Sequence, residues 1–207
     1  MGRGRPRQHD LGTLLDHARS LWVERGAAGL TVRALSQRSG AGNGAIYNAF
    51  GSRDNLLATV WAREANDFLR YQRHMVDESL NRGAPQDAVL TASLALARYA
   101  ETHAEASRLL LAVEARDLIN TDLGATQRAE VDRLQGVLGD LIIELTDRLW
   151  QRTDRNAVLL IKLCLVDLPG KLLLAADRLD NPLSQHALTH AVLGIMSVEP
   201  PKPKPAR

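Results

Sequence analysis

Apolar residues recur at spacings of three and four along almost the whole chain, which is the pattern of amphipathic helices. Gly26 ends the first such stretch, whose apolar positions are Leu11, Leu14, Leu15, Ala18 and Trp22. From residue 54 onward the same period continues, with breaks at glycine and proline residues. The strict alternation that is typical of half-buried strands is not seen. The sequence therefore predicts an all-α protein.

Two short helices with a tight turn between them are predicted within residues 31–50. Thr31 can cap the first helix, because its hydroxyl accepts a backbone N–H of the first turn. Gly40 can adopt the left-handed conformation that ends this helix, and Ile46 and Phe50 resume helical spacing in the second. This outline is that of a helix-turn-helix, whose second helix enters the major groove of DNA. An ordinary bundle core gives the same outline, so the spacing alone leaves both interpretations open.

About nine helices are expected in all. Ser52 is expected to cap the fourth helix, with Asp54 near its positive end. The expected bounds are a fourth helix to about residue 80, a fifth to about 103, a sixth over 105–118, a seventh over 126–150, an eighth over 154–179 and a ninth over 181–198. Pro169-Gly170 is expected to kink the eighth helix.

Charge is unevenly distributed along the 207 residues. Residues 1–53 hold eight arginines against three acidic residues, whereas the remainder holds eighteen basic against twenty-one acidic residues. A basic head on a mildly acidic body is typical of a protein with one DNA-facing end. The segment Arg3-Gly4-Arg5-Pro6-Arg7 resembles an AT-hook core, so Arg3, Arg5 and Arg7 are expected in a narrow A·T-rich minor groove. A solubilising basic tail is the alternative.

Several functional classes lack sequence support. There is no apolar run of about 20 residues and no apolar segment after the basic start, so a cytoplasmic protein is expected. The single cysteine, Cys164, is expected in the core rather than as a redox sensor. No phosphate-binding loop, nucleophile elbow or metal motif is present, so neither an enzyme nor a cofactor is expected. His186 and His190 lie one helical turn apart without a third ligand nearby, so a solvated helix face is favoured over a metal site.

Three motifs fall in order between residues 31 and 57, and they read Thr31-Val32-Arg33, Gly44-Ala45-Ile46-Tyr47 and Phe50-Gly51-Ser52-Arg53-Asp54-Asn55-Leu56-Leu57. At this spacing, residues 11–61 resemble the DNA-binding domain of the TetR family of bacterial transcriptional regulators. The resemblance covers about a quarter of the chain. It implies a helix-turn-helix regulator that binds double-stranded DNA.

The resemblance also implies the roles of individual residues. Phosphate contacts are implied for Thr31, Arg33, Tyr47 and Arg53. Positions that face base edges are matched by Asn43, Ala45 and Asn48, with Gly44 among them. This chain departs from the family, which often has Ser or Thr at position 42, a basic residue at 43 and His or Tyr at 49. Asn43 is therefore expected either to read a base or to cap the second helix, and Asn48 is the best candidate for a direct contact with adenine.

For the rest of the chain, the resemblance implies a homodimer and a small-molecule effector of unknown identity. Candidate pocket residues are Phe68, Gln72, Tyr99, His103, Glu114 and Asp167. A dimer interface is expected on the last two helices, at Val158, Leu159, Leu163, Val166, Leu173, Leu174, Leu188, Ala191, Val192 and Ile195. The same apolar stripes would also fit the core of one chain.

Four regions are therefore expected: a flexible basic arm over residues 1–9, a helix-turn-helix domain over 10–53, an effector-binding and dimerisation domain over 54–198, and a disordered Pro/Lys tail over 199–207. The implied protein is a ligand-responsive repressor of a palindromic operator. An effector-independent architectural or protein-controlled DNA-binding factor of the same fold is the alternative.

Overall fold

A computed structural model describes residues 11–113, 115–119, 121–173 and 179–203, without the side chain of Arg116. Within these ranges the chain forms helices and contains no strand, which confirms the prediction of an all-α fold. None of the described helices is both long and apolar enough to cross a membrane. The helices are α1 (Leu11–Gly29), α2 (Val32–Ser39), α3 (Asn43–Phe50), α4 (Arg53–Arg82), α5 (Pro85–Ala100), α6 (Ala104–Ala112), α7 (Ala115–Ile119), α8 (Ala125–Trp150), α9 (Arg155–Lys162), α10 (Leu168–Leu173) and α11 (Pro182–Met196).

The predicted start and stop signals around α2 and α4 are confirmed. The Thr31 hydroxyl accepts the Ala34 N–H at 3.1 Å, and the Ser52 hydroxyl accepts the Asn55 N–H at 3.1 Å. Gly40 ends α2 with a φ of 75°, a conformation that costs glycine little and other residues much more. α3 begins after Gly42 without a side-chain cap, so the capping alternative for Asn43 is wrong.

Two predicted helices are interrupted. The predicted sixth helix divides into α6 and α7 because Val113 is extended and its carbonyl accepts the indole N–H of Trp61 at 3.2 Å. The predicted eighth helix divides at a π-helical segment, Leu163–Asp167, which lies directly before the expected kink. Pro169 has no N–H to give the Leu165 carbonyl, and the wider π turn, closed by a bond from the Leu168 N–H to the Leu163 carbonyl, precedes it.

Two apolar clusters form the core. The first joins α1, α2 and α3 to the N-terminal half of α4, with Leu35 and Ile46 almost fully buried. The second joins the C-terminal half of α4 to α5, the end of α8 and α9–α11. Cys164 lies in this second cluster, and burial raises the pKa of its thiol to about 12, so it is unreactive near neutral pH. Both α4 and α8 contribute to the two clusters, so these helices connect the DNA-binding region to the body.

The C-terminal segment is held against the body over its described part. Pro200 is buried, and its carbonyl accepts a hydrogen bond from the guanidinium of Arg152 at 2.7 Å. The Pro201 carbonyl accepts the side-chain N–H of Asn156 at 3.0 Å. The disordered tail expected over 199–207 is therefore corrected for residues 199–203, while residues 204–207 lie outside the described part.

Candidate nucleic-acid interface

The helix α3 presents a polar face to solvent. Ile46 and Phe50 on one side of α3 are buried in the first core cluster. The opposite side is therefore turned outward, and its exposed residues are Asn43, Gly44, Ala45, Tyr47, Asn48 and Ala49. Tyr47 is 54% exposed, so its ring and hydroxyl are accessible to a partner. The structure thus brings the predicted base-reading residues together on one accessible surface.

The start of α2 lies beside this face and provides groups that suit phosphate. Thr31 is exposed, and its hydroxyl accepts the capping bond while its own O–H remains able to donate. Arg33 is exposed, and within the described residues its guanidinium forms no hydrogen bond or ion pair. A helix N-terminus also carries partial positive charge. These groups, with the Tyr47 hydroxyl, can hold a phosphate backbone on either side of α3.

Arg53 has partners inside the protein. Its Nε donates to the Leu30 carbonyl at 3.0 Å, and its Nη2 donates to the Ala27 carbonyl. The side chain therefore holds the loop between α1 and α2, the loop that carries Thr31. The phosphate contact of Arg53 remains a prediction, and the bracing role was not predicted from the sequence, because the loop is more than twenty residues away.

A second arginine fixes α2 on α1. The two terminal nitrogens of Arg38 donate to the two carboxylate oxygens of Glu24 at 2.7 and 2.8 Å. These hydrogen bonds lower the pKa of the Glu24 carboxyl. The guanidinium of Arg38 is thus held by an ion pair within the chain, whereas that of Arg33 on the same helix has no such partner among the described residues. The predicted minor-groove residues Arg3, Arg5 and Arg7 lie outside the described residues.

A nearly buried carboxylate connects the DNA-binding region to α4. Glu64 is 3% exposed, and its Oε1 accepts hydrogen bonds from Arg63 at 2.7 Å and from Arg19 of α1 at 3.4 Å. Arg63 also donates to Asp16 at 2.8 Å and to the Gly12 carbonyl at 3.0 Å. The charge of Glu64 is therefore compensated across the α1–α4 contact.

The same cluster includes the start of α6. The Glu105 carboxylate accepts hydrogen bonds from Arg19 at 3.1 Å and from Ser20 at 2.9 Å. One set of polar contacts thus connects three helices that belong to different parts of the chain. We refer to it below as the junction network, which consists of Asp16, Arg19, Ser20, Arg63, Glu64 and Glu105.

Four of the predicted effector residues can be placed on α4 and around the end of α5. The Tyr99 ring lies 5.6 Å from Phe68 and stacks on His103 at 4.1 Å. The ring of Tyr71, a residue that was not predicted from the sequence, also lies in this cluster, with its centroid 5.2 Å from that of Tyr99. Burial raises the pKa of the Tyr99 hydroxyl, and the nearby carboxylates of Asp67 and Glu64 add to the effect. Phe68, Tyr99 and His103 thus form one cluster.

Gln72 is almost fully buried beside α5. Its Nε2 donates to the Ala92 carbonyl at 2.9 Å, but its Oε1 is buried without a partner among the described residues. A buried acceptor without a hydrogen-bond donor lowers the free energy of unfolding by about 1–3 kcal/mol. Asp167 is exposed, in the π-helical segment, and Glu114 lies outside the described residues.

A separate cavity of about 330 Å³ lies between α1, α4 and α8. None of the predicted effector residues lines it. Its lining residues are Leu15, Ala58, Thr59, Ala62, Arg63, Asn66, Thr126, Gln127 and Glu130. The prediction from sequence therefore did not locate this cavity.

The predicted dimer residues divide into core and surface positions. Leu173, Leu188 and Val192 are at most 1% exposed within one chain, so no partner side chain can reach them, and their assignment to the interface is corrected. Leu159 is 48% exposed. The remaining predicted residues are half-buried, namely Val158, Leu163, Val166, Ala191 and Ile195, and Leu174 lies outside the described residues. Leu183 and Leu193 on α11, 74% and 41% exposed, were not singled out.

A three-helix unit with an outward polar helix, carried on a helical body, defines the class of helix-turn-helix DNA-binding proteins. Residues 14–60 match the sequence profile described as bacterial regulatory proteins, tetR family. Over these residues, the DNA-binding region of the chain is of the type found in TetR-family regulators.

Comparisons with individual proteins agree with this assignment. A stretch of 80 residues is 30% identical to the HTH-type transcriptional repressor KstR2 of Rhodococcus jostii (strain RHA1), and the match spans 39% of each chain. The fold is similar to the ketosteroid transcriptional regulator KstR2 of Mycobacterium tuberculosis, with a TM-score of 0.64, 16% identity and coverage of 90% of this chain and 92% of that one. It is also similar to FadR from Bacillus subtilis in complex with stearoyl-CoA, with a TM-score of 0.66, 13% identity and coverage of 90% and 97%.

Proposed function

We propose that this protein is a ligand-responsive transcriptional repressor that binds a palindromic operator as a homodimer. The observation that carries the proposal is the outward polar face of α3. It is flanked by the guanidinium of Arg33, which has no partner among the described residues, and by the exposed Tyr47. In this proposal Asn48 and Asn43 read bases, while Thr31, Arg33 and Tyr47 hold phosphates. The name of the Rhodococcus relative, a repressor, supports the sign of regulation.

Dimerisation is supported by apolar groups that one chain leaves exposed. Leu159 on α9 and Leu183 and Leu193 on α11 present large apolar side chains to solvent. Two copies that pack these helices together would remove them from water, at about 25 cal/mol for each Å² covered. A two-fold dimer also presents two copies of α3, which is the arrangement that a palindromic operator requires.

An effector site is supported by the buried Oε1 of Gln72, which has no partner among the described residues, and by the aromatic cluster that Phe68 of the same helix forms with Tyr99 of α5. An apolar molecule with one hydrogen-bond donor would suit this combination. The similar structures are a ketosteroid regulator and a stearoyl-CoA complex, so ketosteroids and acyl-CoA thioesters are the first compounds to test.

The junction network offers a route from effector to DNA. His103 stacks on Tyr99 and directly precedes α6, whose Glu105 contacts Arg19 and Ser20 of α1. An effector that displaces the Tyr99–His103 stack would shift the start of α6 and change the angle of α1. The shift in the equilibrium equals the difference in effector affinity between the two arrangements.

The DNA-binding claim is testable without knowledge of the operator. The affinity for a random-sequence duplex falls with salt, with a log–log slope of about −0.9 for each phosphate that the protein neutralises. Arg33→Gln removes one such cation from each subunit, so the slope of a dimer should become shallower by about 1.8. Fluorescence anisotropy at four or more salt concentrations measures this slope.

Arg70→Gln is the matched control for this experiment. Arg70 is an exposed arginine of α4 that pairs with Asp67 at 2.6 Å. It lies away from the α2–α3 surface, so its substitution should leave the slope unchanged. Equal changes in slope for the two variants would contradict the proposed interface.

The effector claim has its own test. Thermal denaturation in the presence of stearoyl-CoA or a ketosteroid should show a higher Tm, because a ligand that binds the folded state stabilises it. Gln72→Leu removes the acceptor and should reduce the stabilisation, whereas Asp167→Asn, at an exposed position, should not. A Gln72→Leu variant with unchanged ligand stabilisation would contradict the placement of the effector beside Gln72.

A further inference from the structure

Two histidines on α11 form half of a metal-binding arrangement. His186 and His190 lie one turn apart, both are exposed, and their ring centroids are 4.3 Å apart. Two imidazoles that share a Zn²⁺ ion each bind it at about 2.0–2.1 Å, so neighbouring rings of this kind can act as a pair of ligands. Within the described part of one chain, no group of three or more His, Cys, Asp or Glu residues is placed to hold a metal. The pair is therefore incomplete within a single chain.

The position of the pair on α11 indicates what completes it. α11 has fifteen residues, and His186 and His190 are its fifth and ninth, on either side of its midpoint. They lie on the exposed face between Leu183 and Leu193, the apolar side chains that support dimerisation. In a two-fold interface, a residue close to the axis meets its own copy. If the exposed faces of two α11 helices pack near their midpoints, each histidine pair therefore faces the same pair of the other chain.

Gly194 on the same face also indicates close approach of another molecule. A Cβ at this position would meet no atom within 4 Å in the chain itself. Glycine inside a helix is less favourable than alanine by about 1 kcal/mol, so the fold of one chain gives no steric reason for it. A second backbone packed against the face would give one.

We propose that His186 and His190, together with the same two histidines of a second copy, form a Zn²⁺ site on the two-fold axis of the dimer. Four neutral imidazole nitrogens in tetrahedral arrangement suit Zn²⁺ and its spectroscopic substitute Co²⁺. The proposal rests on the homodimer of the proposed function and adds a metal that holds the two chains together.

A metal that binds the dimer and not the single chain strengthens association by mass action. At a free metal concentration 100 times its dissociation constant, the apparent dissociation constant of the dimer falls by about 100-fold. The metal thus makes the population of the DNA-binding form depend on zinc availability.

The first experiment is a Co²⁺ titration of the full chain without a polyhistidine tag. The expected result is the intense visible absorption of tetrahedral Co²⁺, saturating at one ion for two chains and removed by added Zn²⁺. His186→Ala and His190→Ala should each weaken Co²⁺ binding by about ten-fold or more. Both residues are exposed, so the substitutions leave the core intact. His74→Ala, at an exposed histidine of α4, is the matched control and should bind Co²⁺ like the wild type.

Sedimentation equilibrium with and without Zn²⁺ is the second readout. Zn²⁺ should lower the dimer dissociation constant of the wild type and of His74→Ala, but not of His186→Ala. Saturation at one ion per chain, or equal binding by all variants, would overturn the proposed site. A dimer that binds DNA but shows neither Co²⁺ absorption nor a Zn²⁺ effect would overturn the metal site alone. A chain that stays monomeric both with Zn²⁺ and on DNA would overturn both proposals.

Discussion

Many arginines of the body form ion pairs with carboxylates of the same chain. The surface of α2 and α3, in contrast, has exposed polar side chains without such partners. The described contacts pair seven body arginines with carboxylates, namely Arg63, Arg70, Arg73, Arg82, Arg133, Arg148 and Arg152. Arg33 on α2 has no such partner among the described residues, and Tyr47 on α3 is more than half exposed.

This difference separates groups that maintain the fold from groups available for a partner. Arg38 and Arg53 show that the DNA-binding half follows the same rule, because both are held by groups of their own chain. The guanidinium of Arg33 and the exposed polar residues of α3 remain available to a partner. Five substitutions test this division. Two are at structural positions of the body, two are on the DNA-facing surface, and one removes a partner of an exposed ion pair, where the weakest effect is expected.

The largest effect is expected for Leu188→Ala in α11. Leu188 is fully buried in the second core cluster, so the truncation should lower the free energy of unfolding by about 2–5 kcal/mol. Urea denaturation measures the loss. The control is Leu183→Ala on the exposed face, which should change folding stability by less than about 0.5 kcal/mol while weakening the dimer. If Leu188→Ala changed only the dimer dissociation constant, its placement in the core would be wrong.

Glu64→Gln should have the next largest effect. The substitution keeps the shape of a nearly buried side chain but removes the charge that Arg19 and Arg63 share. Because both arginines retain other carboxylate partners, the expected loss is about 1–3 kcal/mol rather than the full cost of a broken buried pair. Chemical denaturation of Glu64→Gln beside Glu130→Gln checks this, since the solvent-screened Glu130–Arg133 pair should contribute little to stability. Equal losses would show that burial of Glu64 has no energetic consequence.

Two substitutions on α3 should separate phosphate contact from base reading. Asn48→Ala should cost about 1–3 kcal/mol at one operator position and relax the preference there. Tyr47→Phe removes only a hydroxyl and should weaken binding to all sequences by about 1 kcal/mol. Affinities for a panel of single-base operator variants distinguish the two patterns. The same sequence-independent loss for both variants would refute the division of roles.

The smallest effect is expected for Glu144→Gln. Hydrogen bonding from Arg73 lowers the pKa of the Glu144 carboxyl, so its contribution to stability is present above the ordinary glutamate pKa of 4.5 and is lost as the pH falls through the lowered value. Since Arg73 is 44% exposed, the contribution is below about 1 kcal/mol. Wild type and variant should therefore differ slightly at neutral pH and converge in acid. A difference that grows as the pH falls below 4.5 would contradict this sign.

The sequence predicted local signals well and long-range contacts poorly. Thr31, Gly40 and Ser52 act within four residues of their own positions, and the structure confirms their roles at the ends of α2 and α4. Trp61, in contrast, binds a carbonyl 52 residues away and so helps to divide the predicted sixth helix. The junction network likewise joins side chains 45 and 85 residues apart, which no spacing rule reveals.

The residues predicted for the dimer interface show a second limit of prediction from sequence. Apolar periodicity indicates that a helix face is buried, but it does not say whether the same chain or a second one covers it. Leu188 and Val192 belong to the apolar positions predicted for the interface, but they are buried within their own chain. Leu183 was not among those positions, and it is exposed. Phe68, Tyr99 and His103 lie in one aromatic cluster, but their role in effector binding stays a prediction, and Tyr71, which joins the cluster, was not predicted.

In-vitro selection of DNA from a random library, at a stated salt concentration, tests the central claim most directly. The account predicts a palindromic motif with half-sites about one helical turn, or a multiple of it, apart. Full-length protein should also enrich A·T-rich flanks, and a variant lacking residues 2–7 should lose them. Enrichment of A·T-rich DNA without a palindrome, or no enrichment at all, would contradict a dimeric repressor that reads its operator through α3.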